Sequence, residues 1–138
     1  MSTILNPYIS FRGNAREAIS FYGSVFGGVP TMTTFGEAHM PVAPDELEQI
    51  MHAQLIAPNN MTLMVSDSPA HMSYQPGTNV QLSLSGTDEA ELRGYWDGLA
   101  EGATISQPLE KAPWGDIFGM LVDKFDINWL VNITAKKD

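Results

Sequence analysis

A chain of 138 residues with sixteen acidic against seven basic side chains carries a formal charge of −9, which repels a phosphate backbone and argues against nucleic acid as a partner. It has no cysteine, and that rules out a disulfide framework, a thiolate metal site and a cysteine nucleophile. The length suits one ordinary domain that buries roughly two-thirds of its unfolded surface, and no stretch approaches the roughly 20 apolar residues of a spanning helix.

MSTILNPYISF holds no basic leader ahead of an apolar run, so the expected location is the cytoplasm, with no membrane partner. In Asn6 to Phe11, Ile9 and Phe11 alternate with Asn6, Tyr8 and Ser10, the pattern of a half-buried strand. Gly13 turns the chain. Asn14 is a good N-cap, and Glu17 stands where it closes a capping box, so a helix is expected to start there. Ala15, Ala18, Ile19, Tyr22, Val25 and Phe26 form one apolar stripe, and Gly27-Gly28 ends the helix with a conformation that costs glycine little.

Val29 to Phe35 is rich in β-branched and aromatic residues and reads as a second strand. Gly36 to Gln49 breaks all periodicity with prolines and carboxylates; an exposed loop is expected, with a helical turn at Asp45 to Gln49 and a length that suits a lid. Met51 to Ala57 and Met61 to Ser66 flank Pro58-Asn59-Asn60, which predicts an antiparallel hairpin. Asp67 to Gly77 carries turn formers and no apolar pattern, as a connector would.

Alternation returns at Asn79 in NVQLSLS. Thr87 is the expected cap of a helix with Asp88, Glu89 and Glu91 in its first turn, Leu92, Tyr95, Trp96 and Leu99 along its stripe, and Gly102 after its end. Strands are expected at Ala103 to Ser106, Asp116 to Val122 and Ile127 to Thr134, with Asp123 to Asp126 as a turn and Lys136 to Asp138 as a solvated tail. Registering Asn6 on Asn79 also places Ser10 on Ser83, Gly13 on Gly86 and Tyr22 on Tyr95, while the hairpins register Met64 on Leu130 and Val65 on Val131. The chain is therefore an internal repeat of two βαβββ units.

The segments NPYISFRGNAREAISFYGSVFGG, IMHAQL, LMVSD, GTNVQLSLSG and WGDIFGMLVDKFDINWLVN, in this order and spacing, resemble the vicinal oxygen chelate superfamily of glyoxalase, bleomycin-resistance and extradiol dioxygenase proteins, and within it the PhnB-like branch. The resemblance implies an α+β fold, with two tandem βαβββ modules forming a curved half-barrel sheet and the helices on its convex face. It implies one domain over 1–138, with module 1 at about 3–66, a connector at 67–77 and module 2 at about 78–134. It further implies a homodimer and a ligand cavity on the concave face.

The superfamily's metal ligands come from the first and fourth strand of each unit, and here those places fall on Asn6, Met64, Asn79 and Leu130. A divalent metal wants imidazole or carboxylate, so no metal and no cofactor are expected. Relatives in this branch carry a methyltransferase name, but no Gly-rich loop here joins a strand to a helix in a parallel α/β pattern. Asp126 stands where the family has glycine, and Asp tolerates left-handed geometry better than most residues. Ala103 departs in the same way.

Strand parity from the four ligand positions gives the concave face. The candidate ligand-binding residues are Asn6, Tyr8, Ser10, His52, Gln54, Met64, Asn79, Gln81, Phe118, Met120, Asn128 and Leu130. His52 is the candidate acid or base, since imidazole exchanges a proton near neutrality. Asp67 at a strand end is expected to cap a turn, with a bond to His52 as the other possibility. Trp129 has core parity; for Trp114, at a strand entrance beside Gly115, packing is expected, with a place at the cavity mouth as the alternative. Amides, hydroxyls, methionines and aromatics with no central charge suit a small, uncharged organic ligand. The expected function is metal-free small-molecule binding. The alternatives are a metal-dependent lyase, isomerase or dioxygenase, and a dimeric structural or regulatory module.

Overall fold

The structure, a computed structural model, describes residues 3–135, and of Asn59 the backbone alone; the expected tail at Lys136 to Asp138 lies outside the described residues. The chain parts into two compact units between Pro76 and Gly77.

In the first unit, β1 (Tyr8–Phe11), β2 (Thr31–Thr34), β3 (Ile50–Ile56) and β4 (Thr62–Asp67) form a mixed sheet in the order β1-β4-β3-β2, accompanied by α1 (Ala15–Phe26). β1 and β4 run parallel, and the other neighbours antiparallel. Ala53, Leu55, Leu63 and Val65 are buried, as are Ala18, Ile19, Tyr22 and Phe26 of α1, which packs on β3 and β4. Each fully buried Ile, Leu or Val in this layer contributes about 1.5–3 kcal/mol. The alternate residues His52, Gln54, Met64 and Ser66 stay half-buried on the face turned away from the helix.

The start of α1 differs from expectation. Asn14 makes no side-chain cap bond. Asp67, only 2% exposed, accepts the backbone N–H of Gly13 (2.8 Å) and Ala15 (3.0 Å) on Oδ1, and that of Ile50 (2.9 Å) on Oδ2. One carboxylate from the end of β4 thus satisfies donors at the helix start and at the start of β3.

β2 is shorter than expected. Val29 is solvent-exposed, and the pairing with β3 is irregular between Thr33 and Thr34, which ends the regular ladder. The 36–49 loop contains a short 3-10 turn at Pro44–Glu46 rather than a helical turn at 45–49. It is tied down: Glu46 accepts from Ala43 N–H (3.2 Å) and Ala70 N–H (2.8 Å), and Arg16 Nη2 donates to Glu48 O (2.9 Å). Arg12 anchors the connector by donating to the carbonyl of Met72 and by lying 5.0 Å from the centroid of the Tyr74 ring.

The second unit repeats the plan with β5 (Leu82–Gly86), α2 (Glu89–Ala100), β6 (Thr104–Lys111), β7 (Ile117–Val122) and β8 (Asn128–Ile133), in the sheet order β5-β8-β7-β6. Asp88, not Thr87, is the N-cap of α2, and its Oδ1 accepts Glu91 N–H at 3.1 Å. β6 runs on to Lys111 rather than stopping at Ser106; as an edge strand with two register irregularities it accommodates Pro108, which a central strand would not. Trp129 is buried, and its Nε1 donates to Asp123 Oδ2 at 2.8 Å; Asp123 Oδ1 closes the turn by accepting from Phe125 and Ile127. Asp126 takes φ +67° in that turn, the left-handed geometry that the family's glycine position demands.

The two parallel pairs differ in register. Met64 pairs with Tyr8, whereas Leu130 pairs with Ser83, the repeat partner of Ser10. The slide amounts to two residues, so every side chain keeps its face.

Candidate functional site

Two rows of side chains cross the open face of the first sheet. Tyr8, Met64, Gln54 and Thr31 are successive register partners from β1 to β2. One step along, Ser10 pairs with Ser66 and Thr33 with His52, and continuing the β3–β4 register sets His52 beside Ser66. The Tyr8 and His52 rings lie 5.7 Å apart, inclined by 30°, within the range of favourable aromatic contact. Tyr8 is 53% exposed. None of these strand residues is charged. Thr31 and Thr33 were missed in the sequence, although the alternation in TMTT was the signal that would have found them.

On the open face of the second sheet, Ser83, Leu130, Met120 and Gln107 form one row and Ser85, Asn132, Phe118 and Glu110 the next. Asn132 Nδ2 donates to Asp116 Oδ2 at 3.1 Å. Trp114, 61% exposed, sets its ring edge against Phe118 at 5.5 Å, so it packs on the open face rather than in the core. On the other side, a crevice of about 950 Å3 is bordered by the first turn of α2, Lys111, Ile117 and Ile133.

The ligand positions read from the sequence are only partly on strands. Met64 and Leu130 sit at the centre of their rows, but Asn6 precedes β1, and Asn79 and Gln81 precede β5, where the chain is solvent-exposed. Proline shortens β1: Pro7 has no N–H to give, though its carbonyl accepts Met64 N–H at 3.1 Å. Gln54, Met120 and Asn128 are half-buried on the open faces. Asp67 faces the helix and is engaged by backbone donors, so it does not pair with His52. His39 and His71 are exposed in loops. Glu37, in the loop after β2, and Tyr95, on α2, lie off both faces. Glu37 is held below the usual carboxylate range by hydrogen bonds from Thr34, and burial pushes the Tyr95 phenol up, aided by Glu91 and Asp88.

The profile of the family described as 3-demethylubiquinone-9 3-methyltransferase matches residues 3–132. The chain belongs to this family. Protein PA1353 from Pseudomonas aeruginosa is 34% identical, with a TM-score of 0.85 over 98% of this chain and all of that one. The PhnB protein of Bacillus cereus is 24% identical at a TM-score of 0.78, covering 96% of this chain and 100% of that chain. A glyoxylase/bleomycin resistance protein/dioxygenase domain from Frankia shares the fold at 13% identity and a TM-score of 0.69, over 100% of this chain and 96% of that one. This is a PhnB-like protein with the fold of its glyoxalase/bleomycin-resistance neighbours.

The superfamily's metal does not fit the donors present. Two amides, a thioether and an isobutyl group offer no imidazole or carboxylate, and no cluster of three or more His, Cys, Asp or Glu suited to a metal occurs among the described residues. A methyl-donor cofactor on a glycine-rich strand-to-helix loop fits no better in this PhnB-like protein. Donors at the start of α1 are already taken by Asp67, α2 is capped by its own Asp88, and each sheet has a single parallel pair. No helix among the described residues is long and apolar enough to cross a membrane.

Proposed function

We propose that this PhnB-like protein binds a small, uncharged organic molecule on the open faces of its sheets, without a metal. The observation that carries the reading is the chemistry at the superfamily's ligand places, where Asn6, Met64, Asn79 and Leu130 stand. The rows around them support it: hydroxyls, an amide and an imidazole on the first sheet, and Met120, Leu130 and Phe118 on the second. Such a mixture orients a neutral ligand by a few hydrogen bonds while apolar contact holds it.

Equilibrium dialysis against zinc, nickel, manganese and iron, followed by elemental analysis, tests this. Substoichiometric metal, together with thermal stabilisation by neutral organic compounds, is the expected result. One tightly held metal per chain would overturn the proposal and favour a metal-dependent lyase, isomerase or dioxygenase.

A further inference from the structure

In both units the third strand carries a ring at the same repeat position. His52 of β3 and Phe118 of β7 correspond when Met64 is set on Leu130, and each is met by a second ring, Tyr8 at 5.7 Å and Trp114 at 5.5 Å. The residue types differ, yet the two-ring arrangement is kept. The first pair is the polar one. His52 is half-buried, and neither of its ring nitrogens hydrogen-bonds to a described residue; Ser10, Ser66 and Thr33 share its row, and Gln54 lies one step away. No strand residue of that face is charged, which disfavours an ionic ligand.

We infer that Tyr8 and His52 hold an uncharged aromatic ring bearing a hydroxyl or ring N–H, with the ring against the Tyr8–His52 pair and its polar group bonded to the imidazole. This rests on the proposed metal-free binding reading and names the ligand class for the first sheet. Aromatic rings meet favourably at offsets of roughly 4.5–7 Å, and a half-buried imidazole with both nitrogens free has a donor and an acceptor to offer.

The test is a titration of the full chain with p-cresol, followed through the His52 ring signals by NMR, with 4-methylanisole as the ether that lacks the donor. Saturable shifts at His52 are expected. His52→Leu and Tyr8→Leu, each confirmed folded by circular dichroism, should each weaken p-cresol about tenfold, and the ether should bind about fivefold more weakly than p-cresol. No saturable response, or equal affinity in wild type and both variants, would overturn the inference. Shifts confined to Trp114 and Phe118 would also overturn it while leaving metal-free binding intact, whereas stoichiometric metal in the dialysis experiment would remove the reading beneath it.

Discussion

Asp67 shows how far a single side chain reaches. A carboxylate at the end of β4 accepts from Gly13, Ala15 and Ile50, while Asn14, in the customary cap position, caps nothing with its side chain. Asp67→Ala leaves three donors without that acceptor and is expected to cost about 2–4 kcal/mol in urea unfolding. Asn14→Ala should change stability by less than about 0.5 kcal/mol. Equal losses in the two variants would contradict this division of roles. A local pattern favours Asn14, since asparagine followed by glutamate three residues on is a good capping signature. The real cap comes from 52 residues away, which no local pattern encodes. His52 was legible as a member of the open face from strand parity carried across the hairpin register, but its contact with Tyr8 was not, because it depends on the β1–β4 register.

Glu37 belongs to the same scale. Its Oε1 accepts Thr34 N–H at 3.1 Å, and its own N–H donates to Thr34 Oγ1 at 3.1 Å. With the folded carboxyl held below its ordinary range, its contribution to stability is present above the unfolded value and is lost as the pH falls through the folded one. Glu37→Gln should therefore be slightly less stable than wild type near neutrality and converge with it in acid. A difference that grows on acidification in matched thermal melts would reverse the sign.

Among the elements, α2 approaches β7 where the Trp96 ring lies over Gly119. A Cβ built on Gly119 would lie 2.8 Å from Trp96 Cη2 and 2.9 Å from Leu109 Cα, so the large ring on the helix and the missing side chain on the strand are complementary. Gly119→Ala is expected to destabilise by about 1–3 kcal/mol. Adding Trp96→Phe should recover part of the loss, and a strictly additive double-mutant cycle would refute the contact. Both helices, their stripes and most strands were legible from periodicity. The extent of β6 was not, since a proline inside a strand argues for its end and only the edge position makes it tolerable. β1 and β5 start later than alternation alone implies, because Asn6, Asn79 and Gln81 have the right parity but lie ahead of the paired strands.

For the molecule as a whole, the repeat was the most informative signal. It located both βαβββ units, and the two-residue slide of the second parallel pair keeps the parity of the paired strand residues. Much of the candidate site was legible for the same reason, since parity survives an even shift. What the repeat concealed is how the units diverged: a polar ring pair on one open face and an apolar one on the other.

The Asp67 cap also sets an order of events during synthesis. The first turn of α1 lacks its acceptor until the ribosome has delivered residue 67, the last residue of β4, so this helix is emitted long before it can be fixed. α2 carries its cap at Asp88, one position ahead of its own start, and has no such wait. Fixing the start of α1 therefore carries the loop-closure cost of a contact 52 residues apart, whereas the cap of α2 closes only a local turn.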